Sequence, residues 1–354
     1  MKLRTLQALS VAALWVSGVA FAQGEAPFLL GPPVQDGPVV VQAGFYLSDV
    51  NSVDEEAQRL EVEGILTLRW HDQRQAFDPE TLGVQEKVFQ GNFQFSEVAT
   101  GWWPQLIVAN ESGGYEPQGM VLRQRFDGSV TYVEEFNATV EIPMNLHRFP
   151  FDREEFEIIF EVLGFHRDEV VLEADLDTTG SEESGVSITE WRLDGIRADS
   201  REYDPVYGDG HRGALSAFVV TLEMARLPGF MLRVVVIPLA LLVALSWSVF
   251  WMDRESLGDR MDISFIGILT VVAYQIMVSG FLPRISYPTL MSAFLYISFL
   301  TMCAAVVVNL RVGRLDRSGR GEQGDRLDRR CRWAFPLGYA AAVLLAAGYY
   351  FLRY

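Results

Sequence analysis

Two hydrophobic patterns divide the chain. From Val39 to Leu227 apolar residues come in short runs broken by Gly, Pro and Asp. Arg59–Trp70 alternates, with Leu60, Val62, Gly64, Leu66, Leu68 and Trp70 on one side, as a strand with one buried face does. Val39–Leu47, Phe156–Leu163 and Ala217–Met224 read as further strands. Phe126-Asp127-Gly128-Ser129-Val130 is a hairpin signal, because Asp-Gly supplies the backbone of a tight turn. No long helical period appears in this half. The pattern predicts an all-β, immunoglobulin-like antiparallel sandwich.

From Pro228 onward the runs lengthen. Four apolar stretches, about 228–251, 260–282, 288–310 and 333–352, are each long enough to cross a bilayer at about 1.5 Å per residue. Pro238 is expected to kink the first. The fold class is therefore a β-sandwich domain, 23–227, followed by an all-α four-helix transmembrane bundle, 228–354. Residues 1–22 read as a signal peptide: Lys2 and Arg4, an apolar centre from Leu6 to Val19, and Ala20-Phe21-Ala22 as the cleavage site. The linker 311–332 holds eight arginines against four acids, which places it in the cytoplasm. Four spans then put the β domain and the C-terminus outside, in agreement with the signal peptide.

Charge sharpens the division. Up to Leu227 there are 38 acidic and 16 basic residues, and beyond it 8 acidic and 13 basic. An acidic water-facing half disfavours nucleic acid and favours cations, amines and divalent metals. Divalent cations are thus admissible modulators, although no metal-ligand spacing is visible and no cofactor is indicated. Two cysteines, Cys303 and Cys331, make no disulfide framework. No phosphate loop, zinc cluster or nucleophile motif is present, which argues against an enzyme. The absence of internal repeats argues against a transporter.

The second span carries the chemistry. In Gly258–Pro283, Asp262 lies just inside the first turn, behind Asp259 and Arg260. An ionisable side chain within a span is costly unless it faces water. At helical spacing Asp262, Ile266, Leu269, Ala273, Ile276 and Gly280 share one face. If several copies line an axis, that face is an acidic filter in series with an apolar constriction. The competing readings are a buried helix with Asp262 near the headgroups, and Asp259 as a helix cap.

Asn145-Leu146-His147, Phe149-Pro150-Phe151-Asp152 and Phe156 resemble the central loop of the pentameric ligand-gated ion channels. Trp70-His71-Asp72 with Arg74 is similar to that family's W-x-D-x-R strand. Trp102-Trp103-Pro104 with Asn110 resembles its W-x-P and Asn loop. Pro238 with Ser246–Trp251 resembles the end of its first membrane helix, and Leu282-Pro283-Arg284 its loop between second and third helices. The likeness runs along nearly the whole mature chain and is greatest to prokaryotic members. The paired cysteines of animal receptors would fall at Ile142 and Phe156, and both are missing.

The resemblance implies a homopentamer in the bacterial inner membrane, embedded in lipid, with the second helices around the axis. It assigns Asp262 and Asp259 to a cation filter for monovalent cations. Ile266, Leu269, Ala273 and Ile276 become an apolar gate. Asp152, Arg226 and Glu55 or Asp54 match a charge cluster between the domains, with Phe149, Pro150 and Phe151 beside it and Pro283 and Arg284 opposite. An unknown small-molecule agonist, an amine among the candidates, would bind between subunits near Glu161, Phe165, Tyr203 and Tyr207, with Arg123 on the neighbouring face. Leu163 and Ala109 stand where relatives place aromatics. Two alternatives stay open: opening by protons, although Gln58 replaces a carboxylate of an acid-gated relative and all four histidines lie in the β domain, and a membrane-anchored sensor without a pore.

Overall fold

The computed structural model describes residues 31–91, 101–181, 187–188, 190–203, 213–252, 257–280 and 285–354. The expected signal peptide 1–22, Tyr207, Pro283 and Arg284 lie outside them, as does the side chain of Tyr203.

Two sheets form the first half. Strands β1 (Val39–Asp54), β2 (Arg59–His71), β3 (Glu86–Gln90), β5 (Glu111–Arg125), β6 (Ser129–Glu141), β8 (Val170–Ala174) and β9 (Gly180–Ser181) make one, in the order β3-β5-β6-β2-β1-β8 with β9 also on β1. Strands β4 (Leu106–Val108), β7 (Arg153–Val162), β10 (Ser187–Ile188), β11 (Trp191–Tyr203) and β12 (Leu215–Arg226) make the other, in the order β10-β11-β12-β7-β4. The alternation of β2 holds: Leu60, Val62, Leu66, Leu68 and Trp70 are buried. Their face meets a ring cluster in which Phe45, Phe136, Phe160 and Phe218 lie 5.8–6.1 Å apart along successive contacts. Gly64 is where that cluster comes closest to the sheet. A Cβ there would stand 2.5 Å from the Phe45 ring, so a larger residue would displace it. One feature departs from the expected pattern: β8 and β9 run parallel to β1. The chain reaches β8 from β7 of the other sheet, and a crossover between sheets does not impose the antiparallel direction that a hairpin does.

Four helices follow: α1 (Gly229–Trp251), α2 (Leu257–Ser279), α3 (Leu290–Arg317) and α4 (Gly321–Arg353), each long and apolar enough to cross a membrane. The disturbance expected from Pro238 takes the form of a π-helical turn over Leu232–Val236, one turn before the residue that lacks an N–H. The linker 311–332 is not a loop. α3 runs on to Arg317 and α4 begins at Gly321. Arginine is a good helix former, so the charged turns extend the helices beyond the apolar stretch. α4 leaves Trp333, Leu337, Leu344 and Leu345 about 70% exposed, an apolar surface fit for lipid.

Candidate ion pathway and coupling interface

One helix with two opposed faces makes the pathway. On α2, Arg260, Ser264, Gly267, Val271 and Val278 are buried against the protomer's own bundle. The Arg260 guanidinium donates through Nη2 to both carboxylate oxygens of Asp328 on α4, at 2.9 and 3.0 Å. One turn on, Asn309 of α3 donates to the Ser264 hydroxyl at 3.2 Å. At Gly267 an added Cβ would lie 3.1 Å from the Met302 sulfur, so the missing side chain lets α2 and α3 approach. At about 100° per residue the opposite face is Asp262, Ile266, Leu269, Ala273 and Ile276. All five are exposed, Leu269 by 71% and Ile276 by 69%. Asp259 is exposed in the first turn. The face expected to carry the filter and gate is thus the one the protomer leaves bare. In the sequence Arg260 stands only as a charge beside Asp259. Its partner Asp328 hid among the arginines of the linker.

At the other end of the bundle the β domain meets the helices. Arg226, at the end of β12, is buried between two acids: its Nη1 donates to Glu55 at 2.6 Å and its Nε to Asp152 at 3.0 and 3.1 Å. The guanidinium lies over the rings of Trp191 at 4.2 Å and Phe149 at 4.9 Å. One cation is shared by two carboxylates, and burial pushes the Asp152 carboxyl up against the pull of Arg226. Of the two acids considered beside Asp152, Glu55 takes the place. Asp54 instead accepts from the Ala57 N–H at 2.9 Å and closes the β1–β2 turn. Phe149 is buried, and its carbonyl accepts from the Met291 N–H at 3.2 Å, joining the loop to the start of α3. Pro150 is buried and Phe151 is exposed towards Phe351 of α4, 6.0 Å away.

Tyr287, Tyr354 and Glu154 at this interface were not foreseen. The His147 ring is sandwiched between Tyr287, 4.0 Å away, and Tyr354, 3.8 Å away, so the loop is tied to the segment before α3 and to the end of α4. Asn145 holds His147 Nδ1 at 2.7 Å. The backbone N–H of Asn145 in turn donates to both oxygens of Glu154 at 3.1 Å. Burial pushes the Glu154 carboxyl up to about 7. The signal for Glu154 was in the alternation of β7, where it shares the core side with Phe156, Ile158 and Phe160.

The residues expected at the agonist site are spread out. Glu161 is buried on β7, in register with Ile107 of β4 and Ala217 of β12. Alternation stops there: Phe160, Glu161 and Val162 are all buried. Phe165 packs edge-on against Trp102 at 6.1 Å. Arg123, exposed on the other sheet, pairs with Glu86 at 3.2 Å. Tyr203 closes β11 opposite Leu215.

A family model for the neurotransmitter-gated ion-channel ligand binding domain matches residues 29–228, and one for the neurotransmitter-gated ion-channel transmembrane region matches residues 235–323. The chain belongs to this family of ligand-gated ion channels. The family is not one of enzymes, and the protein is a multi-pass membrane protein. A proton-gated ion channel of Gloeobacter violaceus is 26% identical over 320 residues, covering 90% of this chain and 86% of the relative. A gamma-aminobutyric acid receptor beta subunit of Lymnaea stagnalis is 25% identical over 79% of this chain and 56% of its own length. An acetylcholine receptor beta subunit of Xenopus laevis is 26% identical over 78% of this chain and 57% of its own length. The chain thus spans little more than half of these animal subunits. The relatives also include a pH-sensitive chloride channel of Anopheles gambiae, so membership alone does not fix the sign of the permeant ion.

Proposed function

We propose that five copies of this chain surround a cation-selective pore lined by α2. The observation that carries this reading is the division of α2 into two faces. The buried face is locked to α3 and α4, and the bare face carries Asp259 and Asp262 below Ile266, Leu269, Ala273 and Ile276. Bulky apolar residues two-thirds exposed need a neighbour, and carboxylates on the same face need water. A water-filled axis shared with other subunits meets both needs. Rings of carboxylate attract cations and repel anions, and the apolar rings close the path when they lose their water. Monovalent cations are the permeant species, with divalent cations as modulators at the acidic β domain. The protein lies in a bacterial inner membrane with the β domain and C-terminus outside and Asp262 at the cytoplasmic mouth.

Opening is assigned to a small ligand at the subunit interface of the β domain, passed through Glu55, Arg226 and Asp152 to the loop at Phe149. A second reading, opening by protons, is favoured by Glu154, whose carboxyl titrates at about 7 within hydrogen bonds of that loop. Purified protein in planar bilayers under a potassium chloride gradient tests the pore: currents should reverse near the potassium potential. Reversal at the chloride potential, or no current across pH and a panel of small amines, would refute the reading.

A further inference from the structure

The inner end of the bundle has a small core of its own. Val249 and Phe250 of α1, Ala305 of α3 and Cys331 of α4 form a buried cluster separate from the main one, and the Phe250 ring lies 4.8 Å from that of Phe335 on α4. Polar contacts from α4 reach both helices that meet there. Asp328 holds Arg260 in the first turn of α2. Arg332 is one turn further along α4 and so on the same face. It donates through Nε to the Phe250 carbonyl at 3.0 Å, and its guanidinium lies over the Trp251 ring at 5.5 Å. α1 ends at that point in a tight turn, Trp247–Trp251, where the last carbonyls of a helix lack partners of their own and a cation is favoured.

Only residues 252–256 join α1 to α2. One face of α4 therefore holds the chain on either side of a short connection. Asp259 stands one residue before Arg260 and Asp262 two residues after it. At about 100° per residue the direction of the Arg260 side chain fixes that of both carboxylates. With Arg260 drawn into the bundle, Asp259 and Asp262 turn away from it, and both are exposed. Arg332 completes the hold from the other side, because a shift of the end of α1 passes through the short connection to the same turn of α2.

We propose that Arg332, together with Asp328, is a positioning residue for the ion filter: the two side chains act through α1 and α2 and set where the carboxylates of Asp259 and Asp262 stand. This role rests on the pore lined by α2 that is proposed above. A charge also acts on passing ions through space, and the sign distinguishes the two effects. Arg332 is positive, so removing its field alone raises cation conductance. Removing its hydrogen bond frees the end of α1 and loosens the carboxylate rings, which lowers cation conductance and weakens the exclusion of chloride.

Single-channel recording of the full-length protein in planar bilayers under a potassium chloride gradient tests this with Arg332→Met and Arg332→Gln. Both variants lose the charge and keep the length of the side chain as far as Nε, but only glutamine keeps a donor there. Values per channel are read from channels that fold and assemble, so reduced expression does not move them. Expected are a lower potassium conductance in Arg332→Met and a reversal potential shifted from the potassium potential towards zero, with Arg332→Gln close to the wild type in both. Equal values in the two variants would overturn the positioning role and leave the pore standing. So would a conductance above the wild-type value in Arg332→Gln, which is the result of a field acting alone. Wild-type reversal at the chloride potential, or no wild-type current, would overturn the pore and this role together.

Discussion

Removing Asp328 should unlock the pore helix from its bundle. Arg260 is wholly buried and Asp328 nearly so, and their two hydrogen bonds of 2.9 and 3.0 Å are charge-assisted. Nε and Nη1 of Arg260 have no hydrogen-bond partner among the described residues, so Asp328 is the guanidinium's acceptor there. Asp328→Ala leaves a full charge in a low-dielectric site. The expected cost is about 3–5 kcal/mol per protomer, the range for breaking one side of a buried ion pair. The isolated charge, not the lost bond, causes most of this. The double variant Arg260→Met/Asp328→Leu should therefore recover most of the stability, because apolar residues of similar size replace a buried pair at little cost. Thermal unfolding of detergent-solubilised protein across the four members of the cycle measures the coupling. Asp328→Ala melting at the wild-type midpoint would refute the reasoning, and so would a double variant no more stable than the single one.

Three further outcomes follow from the same geometry. Arg226→Ala should abolish ligand- or proton-evoked current while leaving surface expression measurable, and Glu55→Gln should shift the response less, because Asp152 still holds Arg226; wild-type responses in Arg226→Ala would remove the cluster from the coupling path. Glu154 titrates at about 7 when folded against a usual 4.5, so the folded state binds the extra proton and its stability rises as pH falls from about 7 to about 4.5; Glu154→Gln should flatten that slope in unfolding midpoints measured from pH 8 to 5, and an unchanged slope would assign it to another group. Leu269→Ser should ease opening by wetting the constriction, read as a higher open probability in single-channel records, with an unaltered value counting against an apolar gate.

How much of this could be read from residues alone depended on whether the signal was local. The alternation of Leu60 to Trp70, the four apolar stretches and the shared face of Asp262 and Leu269 are periodic patterns, and each reappears in the fold. Glu55 and Asp54 are adjacent, and spacing cannot separate them. The turn at Ala57 does so, by taking Asp54 as its acceptor. Arg260–Asp328 joins residues 68 apart, and an acid within an arginine-rich stretch looks like a solvated charge until the helices are seen to continue through it. His147 between Tyr287 and Tyr354 joins three segments with no common pattern. Glu154 was visible as a carboxylate on the apolar side of a strand, but only the loop N–H beside it gives that position meaning. The residues expected at the agonist site stay scattered within one protomer, Glu161 on β7, Arg123 on β5 and Tyr203 on β11, and no single periodic pattern joins three strands of two sheets.

On the function proposed above, the bare face of α2 sets the charge of what passes. Reversal potentials under a potassium chloride gradient, compared for wild type, Asp262→Ala and Asp262→Lys, test it most directly. Expected are reversal near the potassium potential for the wild type, a shift towards zero for Asp262→Ala, and a shift towards the chloride potential for Asp262→Lys. Identical reversal potentials in all three would contradict it.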